Sequence, residues 1–141
     1  MRVQFVAGFG PIVKDQATSE RFYKDALGLP IKALTPDGTY VGTDDLDGVK
    51  AFALWRLADA AESTFGTKER PKDVTAPQAW LEFDVESAAA VAAAVQELEA
   101  KGYRVLVKAR EEPWKQVVSR LLSPEGLLVG VVYTPWMHKE A

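Results

Sequence analysis

The chain repeats itself, and the repeat limits what it can fold into. Asp15, Thr18 and Ser19, good helix-capping types, precede the helical stretch Arg21-Phe22-Tyr23-Lys24-Asp25-Ala26-Leu27, which stops at Gly28. Further on, Val85-Glu86-Ser87 opens an Ala-rich helical stretch that closes on Lys101-Gly102-Tyr103. Each half reads as a strand, a helix and then more strands. At 141 residues the chain suits one compact domain with a real core, without a second. The expected fold is therefore a single α+β domain built from two βαβββ modules.

In the first module, at about residues 1–57, strands are expected over 3–13, 31–35, 39–43 and 49–57, with a helix over 17–27. Pro11 has no N–H for a strand ladder, so it marks an edge, a bulge or a strand end. Residues 58–77 are rich in charged and hydroxyl side chains and end at Pro77, so they read as a polar connector, too long for a tight turn. The second module, at about 78–136, opens with a strand over 78–85. Its helix runs from Ser87 to Lys101, with Val91, Val95 and Leu98 on one face. Strands over 103–108 and 117–123 follow. Ser123-Pro124-Glu125-Gly126 then forms a turn into the last strand, Leu127 to Tyr133.

Composition excludes several functions. The net charge of −3 is too weak for a nucleic-acid surface. The absence of cysteine removes disulfides, thiolate nucleophiles and Cys-ligated metals. No basic-then-apolar leader opens the chain and no apolar run is long enough to span a bilayer, so a cytoplasmic protein without a membrane partner is expected. Gly8-Phe9-Gly10 is followed by Pro11 rather than a helix, which makes it a poor nucleotide loop. The single histidine, His138, reads as a solvated tail residue and cannot complete a Ser-His-Asp set.

Alternation along 78–85 separates Ala79, Leu81, Phe83 and Val85 from Trp80, Glu82 and Asp84. The first set suits a face under helices. The second, one large aromatic and two carboxylates, suits the wall of an open cavity. Arg120 shares a strand face with Val118 and Leu122. It either lies exposed or reaches the cleft, where it pairs with Glu82 or binds an acidic or phenolic ligand group. Glu82 and Asp84 are either solvated carboxylates or an acid and base whose pKa burial has raised. Trp55, Trp80 and Trp114 are either packing residues or platforms for a planar ligand.

The strand-helix-strand repeat resembles the vicinal-oxygen-chelate superfamily of glyoxalases, bleomycin-resistance proteins and extradiol dioxygenases. Ala79-Trp80-Leu81-Glu82-Phe83-Asp84-Val85, Glu112-Pro113-Trp114 and Pro11 are similar to motifs of its bleomycin-resistance branch. The Ser123–Gly126 turn resembles the family's Asp-Pro-Asp-Gly-like turn. Members of the superfamily hold a divalent ion with His, Glu or Gln at four strand positions. The resemblance maps those positions onto Gly8, Trp55 (or Ala53 under a one-step shift), Trp80 and Gly130, which offer none of these donors. It therefore implies no metal and no cofactor. It also implies a homodimer and a ligand cleft lined by Trp80, Trp55, Trp114, Glu82 and Arg120. The expected function is metal-free binding of a small molecule, with sequestration of a planar aromatic or cationic antibiotic in view. The alternative is a metal-independent isomerase or lyase that uses Glu82 or Asp84 as its base. Lys115, standing where Gly commonly follows the Trp, and Glu82, replacing an aromatic, depart from the branch.

Overall fold

The computed structural model describes residues 1–138. Eight strands form one sheet: β1 (Phe5–Val13), β2 (Lys32–Ala33), β3 (Val41–Thr43), β4 (Phe52–Arg56), β5 (Ala79–Asp84), β6 (Val105–Glu111), β7 (Val117–Leu122) and β8 (Leu128–Tyr133). Their order is β2-β3-β4-β1-β5-β8-β7-β6. The repeat is visible in that order. Within each module the first strand pairs parallel with the last, β1 with β4 and β5 with β8, and the modules join where β1 meets β5 antiparallel.

Helix α1 (Gln16–Glu20) begins where the Asp15 side chain accepts from the Thr18 N–H, and runs on as a π-helical turn, Arg21–Ala26. Its counterpart α3 (Ala88–Ala100) is capped in the same way by Ser87, which accepts from Ala90. Each cap supplies an acceptor that a helix start otherwise lacks. Val91, Ala94 and Val95 of α3 are buried, and Val85, Val91, Ala94 and Val131 form one apolar cluster. Val131 thus belongs to the helix-covered face, and its neighbours Gly130 and Val132 belong to the other, concave face.

Two features differ from the sequence reading. Between the modules, Leu57–Phe65 forms a helix, α2, closed by Gly66 at φ 80°. Leu57, Ala60, Ala61 and Thr64 lie at the spacing of one helical face, with Ala60, Ala61 and Thr64 buried. The surrounding charges hide this short stripe. The strand expected over 49–57 accordingly stops at Arg56, which becomes the N-cap of α2.

The second difference is Pro11, which lies in β1 at the centre of the sheet rather than at an edge, bulge or strand end. Phe9 N–H donates to Ala51 across the parallel β1–β4 pair, so the next donor in the ladder would be residue 11, aimed at the Ala53 carbonyl. Proline has no such donor. The Trp80 indole N–H supplies it, at 3.2 Å from the Ala53 oxygen.

Candidate functional site

The strand register stacks the concave face in rows. Gly8 on β1, Glu82 on β5, Gly130 on β8 and Arg120 on β7 are successive cross-strand partners. The adjacent row is Gly10, Trp80, Leu128 and Leu122. The β5 residue level with Gly8 and Gly130 is therefore Glu82, with Trp80 one row away. The glycines make room for these two large side chains. A Cβ at Gly8 would lie 2.7 Å from the tip of the Trp80 ring, and one at Gly130 3.1 Å from Glu82 Cγ.

Trp80 is 5% exposed and fills the floor of the cleft. It meets Trp55 edge to face, with ring centroids 6.4 Å apart, and shares an apolar cluster with Ile12, Ala53, Leu128 and Ala60 of α2. Tyr40 packs on the same cluster. Burial pushes its hydroxyl pKa up, with the Glu82 charge adding and the Arg120 charge opposing. Trp55 is half-buried, and the Arg120 guanidinium stands over its ring at 5.1 Å from the centroid. Trp114, 50% exposed, lies at the rim in the β6–β7 turn. Its indole N–H donates to Gln116 Oε1 at 3.0 Å. The turn needs a left-handed residue after Trp114, and Lys115 supplies it at φ 77°. This is the geometry that favours glycine at that place.

Gln116, absent from the sequence reading, joins the rim to the floor. Its amide donates to Glu82 Oε1 at 3.1 Å and to Thr134 Oγ1 at 2.8 Å. Nothing in the local pattern marks it beyond sharing a strand face with Arg120. Arg120 is only 2% exposed, so it reaches the cleft rather than solvent. Its ion-pair partner among the described residues is Glu112, at 3.4 Å, and not the expected Glu82. Glu112 also receives Arg110 at 2.8 Å. Ser63 on α2 ties this group to the helix. Its hydroxyl accepts from Arg120 at 3.0 Å and donates to Glu112 at 3.2 Å, and its carbonyl accepts from Arg110. The helix that the sequence concealed is thus latched across the cleft.

Burial raises the Glu82 pKa, the Arg120 charge and the Gln116 hydrogen bond pull it back, and Asp84 and Glu112 push it up again. Asp84 is also raised by burial, against hydrogen bonds from His138 and Thr134. His138 is not a free tail residue. It bonds Asp84 and sits between the rings of Phe5 and Tyr133.

The shifts of Glu82 and Asp84 have a definite sign. A carboxyl whose pKa is higher in the folded state favours folding most when protonated, and that contribution is lost as pH rises through the folded value. Glu82→Gln is therefore expected to gain stability relative to the parent as pH climbs from 4.5, the ordinary glutamate value, toward neutrality. Urea unfolding at a series of pH values checks this. A stability difference that stayed flat across the series would show that Glu82 is not strained by burial.

A divalent ion does not fit the four family positions. Gly8 and Gly130 have no side chain, Ala53 and Trp55 carry no metal donor, and the Trp80 N–H is committed to Ala53; Glu82, the β5 residue level with Gly8 and Gly130, is the single carboxylate in that row, one donor where a divalent ion needs a set. Among the described residues no group of three or more His, Cys, Asp or Glu is placed to hold a metal.

Beside the Trp80 cluster, between α2, the 66–77 segment and the sheet, a cavity of about 720 Å³ opens. Leu57, Ala60, Leu122 and Leu128 belong both to its lining and to the Trp80–Trp55 cluster. The aromatic floor and the cavity adjoin through these four residues, while Trp80, Trp55, Trp114, Glu82 and Arg120 themselves lie outside the cavity lining.

Residues 8–131 match the model of the Glyoxalase/Bleomycin resistance protein/Dioxygenase superfamily. The chain belongs to this superfamily. No curated protein matches it. Solved structures share its fold at low identity. A glyoxalase/bleomycin resistance protein/dioxygenase superfamily member from Vibrio splendidus 12B01 is 21% identical over 94% of this chain and 100% of its own, with a TM-score of 0.57. A methylmalonyl-CoA epimerase from Streptomyces coelicolor is 14% identical over 99% and 100%, also at 0.57. A protein described as an NAD-dependent benzaldehyde dehydrogenase from Legionella pneumophila is 17% identical over 89% and 96%, at 0.59. Within the superfamily fold, no helix among the described residues is long and apolar enough to cross a membrane.

Proposed function

We propose that the protein is a metal-free small-molecule binding member of the superfamily that sequesters a planar aromatic compound, an antibiotic among the candidates, in the cleft under α2. One observation carries the reading. At the positions that the resemblance gives to metal donors stand Gly8, Ala53 or Trp55 and Gly130, with Glu82 the one carboxylate level with them, and a cavity of about 720 Å³ adjoins the Trp80–Trp55 cluster. In this reading a ligand held in the cavity reaches Trp55 and Arg120 by displacing the side chains of Leu57, Leu122 and Leu128 between them, with Trp80 behind, exposed Trp114 in the β6–β7 turn, and Glu82 with Gln116 giving polar selectivity. A ring stacked on Trp55 would gain about 0.5–1.5 kcal/mol beyond its area burial.

Titration of the chelator-treated protein with planar antibiotics and aromatic metabolites, read by tryptophan fluorescence, tests this. Saturable quenching at one ligand per chain, weakened in Trp55→Leu, is expected, with the ligand recovered unchanged. A panel without any quenching would count against the reading.

A second reading is a metal-independent isomerase or lyase with Glu82 as the base. Its raised pKa favours that role, because a base poised closer to neutrality exchanges protons more readily. Turnover separates the two, since an enzyme leaves product and a sequestering protein does not.

A further inference from the structure

The chain carries a net charge of −3, yet the cavity beside α2 is lined by an excess of basic residues. Lys14, Arg56, Lys68, Arg70 and Lys72 line it against only Asp59 and Glu69. Arg56 is neutralised by Asp59 at 2.7 Å. None of the other four basic residues is ion-paired among the described residues; Arg70 Nε donates to the Val74 carbonyl at 3.0 Å. Below this rim the cavity is apolar, with Val13, Leu106, Leu122 and Leu128 from the sheet side and Ala61 and Phe65 from α2.

We propose that this cavity binds a small amphiphilic anion, with its apolar body between α2 and the sheet and its carboxylate or phosphate head among Lys14, Lys68, Arg70 and Lys72. The assignment rests on the binding reading above and names the ligand class of the same cleft. The apolar lining supplies affinity in proportion to the area it buries. The basic rim selects the sign of the head group and lies on the exposed 66–77 segment, so salt will screen it. Of the ligand types that the sequence left open, the basic lining disfavours the cationic one.

Calorimetric titration of the full chain with decanoate, decyl phosphate, decanol and decyltrimethylammonium tests the proposal, and the first two probes tell a carboxylate from a phosphate preference. At least one anion is expected to bind at one site per chain. Decanol should bind at least about tenfold more weakly and the cation not measurably, a tenfold ratio being about 1.4 kcal/mol. Reversing the rim in Lys68→Glu/Lys72→Glu, both exposed positions, should weaken the anion at least about tenfold and leave decanol unchanged. Equal affinity for all four probes, or an unaffected anion in the charge-reversed variant, would overturn the assignment. If it falls while aromatic ligands still quench Trp55, the cleft reading stands; if quenching also fails, both fall.

Discussion

Trp80→Ala will lower the unfolding free energy by about 3–5 kcal/mol, the range for removing a large buried aromatic. Two effects add at this site. The ring is almost fully enclosed between Gly8, Gly10, Trp55 and Leu128, so its loss leaves a void that the rigid sheet cannot close. Its N–H also serves the Ala53 carbonyl, which the parallel ladder leaves without a donor because residue 11 is proline. Trp80→Phe keeps one aromatic ring but removes the donor together with the outer part of the indole that packs on Gly8, so it should cost at least about 1–3 kcal/mol, and a second variant isolates the donor's share. Adding Pro11→Ala to Trp80→Phe restores a backbone N–H facing Ala53 and should recover part of that loss. Denaturant unfolding of the three variants reads the result. No recovery in the double variant would mean that the indole does not stand in for the missing ladder bond.

Arg120→Met should cost about 3 kcal/mol at neutral pH, the lower end of the range for breaking a buried ion pair by removing one member. The lower end applies because Glu112 keeps Arg110 at 2.8 Å. Burial pushes the Glu112 carboxyl up, but the Arg110 hydrogen bond and the Arg120 and Arg110 charges bring it below its ordinary 4.5. Such a group stabilises the fold above its unfolded pKa, and that contribution is lost as pH falls through the folded value. Glu82 adds to the penalty, because Arg120 is the charge that offsets its burial. The cost of Arg120→Met should therefore shrink as pH falls, first as Glu82 takes up its proton above the ordinary glutamate value of 4.5 and then as Glu112 does below it. The variant should also loosen α2, since Ser63 loses one of its holds on the sheet. Hydrogen exchange of the Ala60–Phe65 amides would report this directly. An equal cost at acid and neutral pH would remove the electrostatic explanation and leave only packing.

The features readable in the sequence are local in origin. Asp15 and Ser87 cap their helices because a side-chain oxygen reaches an amide three residues on. Trp80, Glu82 and Asp84 share a strand face because side chains alternate with a period of two. The module repeat and its family resemblance follow from the same local patterns. The tertiary structure alone decided which side chains meet. The spacing of Leu57, Ala60, Ala61 and Thr64 allows a helix, but a short amphipathic stripe among charges holds only when a cleft receives it. Arg120 pairs with Glu112 rather than Glu82 because the β6–β7 hairpin and α2 bring Glu112 and Ser63 to it. Pro11 sits mid-sheet because a tryptophan from β5, distant in sequence, supplies the missing donor. Local periodicity determined which face each residue occupies; contacts between strands and helices far apart in the chain decided what each face holds.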